Sequence, residues 1–195
     1  MGIVTEELER RIRTCTLCRL HRNRKNAVPG EGPYDARVML LGEAPGRNED
    51  LRGVPFCGAA GKFLDELLEI VGLKREEVYI TNTVKCRPPQ NRAPSEDEIE
   101  ICTSKYLKKQ VKIVRPELIV ALGRTAAKAL LGKEIPITAN HGKLIIVKFA
   151  GLNFQVFLTY HPAAALYGAK TRLKLKEDFA KLAEVLKTAR IPRPK

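Results

Sequence analysis

RVMLLGEAPG, residues 37–46, decides the class of fold. Arg37–Glu43 holds a continuous apolar run, with none of the alternation of a half-solvated strand, so it reads as a strand buried on both faces. Gly42, Pro45 and Gly46 then force a turn. Working outward, Val78–Asn82 is a β-branched strand ending on a polar residue, and Leu118–Leu122 is another buried strand, followed by Gly123 and a short helix. Leu144–Val147 and Phe154–Thr159 flank Ala150-Gly151 as a hairpin, and the second of them runs straight into Tyr160-His161-Pro162.

Helical spacing fills the intervals. Residues 3–15 place Leu8, Ile12 and Cys15 on one helix face, with Cys15 turned inward. Gly61–Val71 is a helix closed by Gly72, and Ser95 with Glu98 forms a capping box that starts another, on which Ile99, Cys102 and Tyr106 share a face. A final helix over about 172–188 aligns Leu175, Phe179, Leu182 and Leu186. Strands alternating with helices mean an α/β protein. Its 195 residues suit one domain, 1–195, with 189–195 as a basic solvated tail.

Composition narrows the partners. Lys and Arg number 35 against 22 Asp and Glu, a net charge of +13. Such an excess favours a polyanion through counterion release, although a basic surface also serves solubility alone. The apolar runs are too short for a membrane span. The charged N-terminus is not a signal peptide, and Glu6 stands where a myristoylation site needs Ser or Thr. The expectation is a cytoplasmic protein with reduced thiols.

Polar groups collect at strand ends: Glu43, Asn82, Gly123 and His161. Ligands of open α/β sheets bind at that rim. The glycines of Gly42-Glu43-Ala44-Pro45-Gly46 admit close backbone approach to a ligand, but GxGxxG spacing is absent. Gly53–Lys62 resembles a phosphate loop and fails as one, since Phe56 stands where the first glycine belongs and Phe63 where the magnesium-binding hydroxyl belongs. Phe56 is then a core residue or a stacking platform. Asn82 offers a donor and an acceptor in fixed geometry, or caps a turn. His161 is a hydrogen-bond donor to a developing anion, or a packing histidine.

There are five cysteines. Cys15, Cys18, Cys86 and Cys102 make a four-thiolate set with Arg13, Arg19, Lys85 and Arg87 close by, and Cys57 is odd. Zinc and a [4Fe–4S] cluster both accept four thiolates, and spacing does not choose between them. A redox pair at Cys15–Cys18, or unrelated buried thiols, are the other readings.

CTLC (15–18), LLGEAPGRNED (40–50), GVPFCGAAGKFLDELL (53–68), VYITNTVKCRPPQNRAPSEDEIEIC (78–102) and LTYHPAAAL (158–166), in that order, resemble the uracil-DNA glycosylase superfamily. They are most similar to its iron–sulfur family 4, over roughly residues 10–185. The resemblance implies a three-layer α/β/α sandwich with a short, mainly parallel central sheet. It implies a structural [4Fe–4S] cluster on Cys15, Cys18, Cys86 and Cys102. The partner would be uracil-containing DNA, single- or double-stranded, bound by a monomer, with a sliding clamp or another repair protein as a possible associate.

The implied chemistry is base flipping followed by hydrolysis of the N-glycosidic bond. Gly42 and Ala44 would border the base and Phe56 would stack on it. Asn82 would accept from uracil N3–H and donate to O4, and His161 would donate to O2 as uracil leaves as an anion. Glu43 would place the water or stabilise the sugar cation, with Asn91 in reserve. The best-known members carry Asp at the position of Ala44 and a thymine-excluding Tyr at that of Gly46; this chain has neither. Leu166 would be the wedge that fills the gap in the duplex, one residue beyond the usual position, here Ala165. Two rivals stand beside this reading: a zinc-stapled nucleic-acid-binding module without catalysis, and a nucleotide-binding α/β enzyme using the GEAPG loop on phosphates.

Overall fold

A computed structural model describes residues 2–188. The tail at 189–195 lies outside the described residues. In chain order the elements are α1 (Gly2–Arg13), β1 (Val38–Gly42), α2 (Arg47–Arg52), α3 (Ala59–Ile70) and β2 (Tyr79–Asn82). There follow α4 (Glu96–Cys102), a π-helical turn (Thr103–Leu107), α5 (Lys108–Val114), β3 (Leu118–Leu122) and α6 (Arg124–Leu131). The chain closes with α7 (Ile137–Asn140), β4 (Lys143–Phe149), β5 (Leu152–Thr159) and α8 (Ala169–Thr188).

The sheet order is β2-β1-β3-β5-β4. The first four are mutually parallel, and β4 runs antiparallel to β5 at the edge. Within the apolar run, Met39 and Leu41 join a core under α5 and α6, while Val38 and Leu40 join the core under α3 and α8. Period-two side-chain alternation therefore persists in a sequence with no visible alternation, because both faces are buried. Helices on both sides of a mainly parallel sheet give the expected α/β sandwich.

The hairpin turns at Ala150 and Gly151, with φ of 52° and 88°. Two successive positive φ values match the twist of a tight antiparallel connection. In the capping box, Glu98 Oε2 accepts from Ser95 N at 2.8 Å as the sequence predicts.

A third small core joins α1 to the 84–106 region through Leu8, Ile12, Leu20, Val84, Cys86, Cys102 and Tyr106. Here one local expectation needs correction. Helix α1 ends at Arg13, so Cys15 sits two residues beyond it and is half-buried rather than on the inward helix face. The short helix α2 was not expected either. It begins at Gly46, whose backbone N–H donates to Glu49 Oε2 at 3.0 Å.

Candidate active site

Strand register assembles the rim. Gly42 pairs with Asn82 across β1 and β2, and Leu122 with Thr159 across β3 and β5. Residues at or just beyond these ends converge on a cleft of about 360 Å³. Glu43, Ala44, Phe56, Asn82, Asn91 and His161 all line it, whereas Gly42 sits behind Asn82 and Phe56 and Leu166 lies outside the lining.

Asn82 is 1% exposed, and its Oδ1 has no hydrogen-bond partner. A buried unpaired acceptor is costly unless a ligand satisfies it. Its backbone carbonyl accepts from Lys85 Nζ at 2.5 Å, and the same ammonium donates to Thr81 Oγ1 at 2.7 Å. Lys85 is fully buried, and desolvation lowers its pKa to about 8.

Gly42 has no room for a side chain. A Cβ there would lie 2.3 Å from Asn82 Oδ1 and 2.7 Å from Phe56 Cζ. Phe56 itself holds a left-handed backbone, φ 49°, and its ring stacks on His161 at 5.5 Å. Gly61 permits that loop, since a Cβ there would collide with the Phe56 carbonyl at 1.6 Å.

His161 Nδ1 accepts from Ala163 N at 3.2 Å. The proton therefore sits on Nε2, which is left as the donor. Burial lowers the imidazole pKa to about 4, opposed by the carboxylate of Glu49. The ring is neutral at pH 7.

Sequence reasoning missed Glu49. Its Oε1 accepts from Cys57 N and Gly58 N, both at 3.0 Å, while Oε2 caps Gly46 N, so one carboxylate clamps the GEAPG loop to the Phe56 loop. It also occupies the space of a side chain at Gly46, where a Cβ would lie 2.7 Å from Oε2. Half a signal was present: Glu three residues after a glycine N-cap can supply the reciprocal arm of a capping box, its carboxylate accepting from the N-cap N–H.

The wedge region splits. Ala165 is buried, Leu166 is 40% exposed and Tyr167 is 92% exposed. Leu166 thus faces outward, as a wedge requires. Arg92 lines the cleft, and Arg47 and Arg124 are exposed on the adjoining α2 and α6. Arg87 Nε donates to Asn91 Oδ1 at 2.7 Å, holding that loop at the mouth.

The four cysteines gather in the third core: Cys86 and Cys102 are buried in it, and Cys15 and Cys18 pack on it. Among the described residues no three thiol, imidazole or carboxylate groups reach metal-ligand spacing. Cations face the set, however. Arg24 Nη1 donates to Cys86 Sγ at 2.9 Å, and the Lys85 ammonium interacts electrostatically with Cys86 and Cys102. Glu98, with pKa lowered to about 2 chiefly by Arg92, also accepts from Arg19 Nε at 2.9 Å. That bond ties the residue after Cys18 to the helix carrying Cys102. Cys57 lies outside the group, in the Phe56 loop.

An α/β sandwich with a cleft at its strand ends fits the class whose sequence profile matches residues 29–187, described as the Uracil DNA glycosylase superfamily. The chain is 49% identical to a type-4 uracil-DNA glycosylase of Sulfurisphaera tokodaii, over 92% of this chain and 84% of that one. It is 45% identical to that of Archaeoglobus fulgidus, covering 92% of each, and 43% identical to that of Thermotoga maritima, covering 96% and 95%. The chain belongs to the type-4 uracil-DNA glycosylase family, and is an enzyme acting on DNA. Neither rival reading survives: both the module without catalysis and the nucleotide-binding enzyme give way to a glycosylase. No helix among the described residues is long and apolar enough to cross a membrane.

Proposed function

We propose that the cleft binds a uracil flipped from DNA and releases it by hydrolysis of the N-glycosidic bond, with Asn82 reading the base and His161 stabilising the leaving anion. The observation that carries this is the orphaned Asn82 Oδ1, a buried acceptor in the cleft wall. Uracil N3–H satisfies it, and the carboxamide N–H reaches O4. Cytosine presents the opposite pattern and leaves both sides unpaired, which is the strongest form of discrimination a polar pocket achieves.

Phe56 offers the stacking face, and Gly42 and Ala44 leave room for the ring edge. Uracil departs with charge growing on O2. His161 meets it as a neutral Nε2–H donor, so no proton need be transferred. One preorganised donor of this kind supplies roughly 10²–10³ in rate. Glu43 places the attacking water or stabilises the sugar cation, and Asn91 borders the same space. The exposed arginines at the rim hold the phosphates, and Leu166 enters the stack.

Cys15, Cys18, Cys86 and Cys102 would hold a [4Fe–4S] cluster. The donor set fits, because four clustered thiols faced by Arg24 and Lys85 suit a group that is anionic once the thiolates bind it. When bound, the cluster supplies cross-linking rather than chemistry, tying the segment after α1 to α4 and to the loop that follows β2. The same reading has a cytoplasmic monomer acting on single- or double-stranded DNA, with a sliding clamp or repair protein as associate.

Single-turnover excision tests the site. Oligonucleotides carrying one uracil should release it, while thymine and cytosine controls should not. An Asn82→Ala variant that keeps wild-type uracil excision sinks the reading. Iron content and visible absorbance separate a cluster from zinc.

A further inference from the structure

We propose that Thr125 is a positioning residue for Glu43, holding its carboxylate in the orientation the reaction uses. This rests on the reading of Glu43 given above. Thr125 belongs to the first turn of α6, 82 positions from Glu43 in sequence, and is 8% exposed. Its hydroxyl donates to Glu43 Oε2.

The two residues meet because β1 and β3 are neighbours. Leu41 pairs with Ala121, so the chain leaving β1 and the chain entering α6 emerge side by side. Glu43 lines the cleft, and with Oε2 engaged by Thr125, Oε1 is the oxygen left for a water or the sugar.

A glutamate has three rotatable side-chain bonds and reorients readily at a half-open site. A hydrogen bond from a buried hydroxyl to a carboxylate is charge-assisted, hence short and directional. Thr125 suits this task, since a β-branched residue in a helix has few χ1 states and sits where packing locks it. The same helix start touches the other catalytic candidate. Gly123 has φ 90°, and a Cβ there would come within 3.0 Å of His161 Cβ. One rigid turn thus supports both the acidic and the imidazole sides of the cleft.

The test is a double-mutant cycle on single-turnover excision from uracil-containing DNA. Thr125→Val keeps the shape and removes the donor. It should lower the excision rate roughly tenfold or more, the size of one hydrogen bond to a charged group, with little change in DNA affinity. Thr125→Ser should restore the rate to within about threefold, because it restores the hydroxyl. In a Glu43→Gln background, Thr125→Val should add no further loss, whereas a merely structural residue would cost the same in both backgrounds. Thermal melts and circular dichroism confirm that each variant folds. A wild-type rate for Thr125→Val, a failed rescue by Ser, or equal losses in both backgrounds overturns the role of Thr125. A wild-type rate for Glu43→Gln overturns the reading of Glu43, and the proposal with it.

Discussion

The protonation of His161 is the point where the proposed chemistry is most exposed to refutation. Desolvation lowers its pKa from the ordinary 6.5 to about 4. The ring then carries a proton in only ~10⁻³ of molecules at pH 7, and Nε2–H acts as a neutral donor. The shift is also a statement about stability. Below pH 6.5 the unfolded chain takes up a proton at this site and the folded chain does not until about pH 4. The contribution from His161 is therefore complete above pH 6.5 and is lost as pH falls through that window, by about 3 kcal/mol in all.

Histidine NMR reads this directly. The chain has three histidines, His21, His141 and His161, and a His161→Gln variant assigns the third. One imidazole should stay neutral from pH 8 down to about 5 while His161→Gln removes that signal. The same variant should flatten the acid-side loss of stability by about 3 kcal/mol and cut excision roughly 10²–10³-fold at pH 7. A His161 resonance titrating near 6.5 would refute the argument, because the group would then be substantially charged on the acid side of neutrality and burial would not be governing it.

Asn82→Asp should gain excision of cytosine, since a protonated carboxyl can donate to N3 and accept from the N4 amino group; unchanged uracil-only release argues against Asn82 as the reader. Gly42→Ala places a methyl 2.3 Å from Asn82 Oδ1, so uracil excision should be lost while the fold survives, and a wild-type KM contradicts the pocket geometry. Lys85→Met removes the donor to Asn82 O and Thr81 Oγ1; Thr81 keeps its bond to Pro29 O, so the main loss is at the buried Asn82 carbonyl, about 1–3 kcal/mol; melting temperature and excision rate should both fall, and an unchanged melt would show the ammonium to be dispensable. Cys102→Ser should reduce bound iron and lower the melting temperature more than it alters base preference, with full iron retention as the contrary result.

Much of this protein was legible from local pattern. The run in Arg37–Glu43 and Leu118–Leu122 read as doubly buried strands and stand as Val38–Gly42 and Leu118–Leu122, and the Ser95–Glu98 box did start a helix. Polar residues at strand ends pointed to Glu43, Asn82 and His161, and parallel strands bring such ends to one edge. These features depend on neighbours a few residues apart, where hydrophobic period and turn chemistry suffice.

Other features depend on contacts between distant residues. Lys85 reads only as a cation near the thiols, yet it is 1% exposed and its ammonium donates to the Asn82 carbonyl and the Thr81 hydroxyl. Cys15 reads as helical, but its placement follows from the third core rather than from helix spacing. Glu49 draws no reading from the sequence, and its carboxylate gains its partners only when the Phe56 loop folds back onto it. By itself, then, the sequence determined the α/β class, the strand-end residues and the set of thiols. Only the tertiary structure decided which oxygen of Glu43 is held, which nitrogen of His161 bears the proton and which acceptor of Asn82 is left unpaired. Those are properties of hydrogen bonds formed across strand ends, and no local period encodes them.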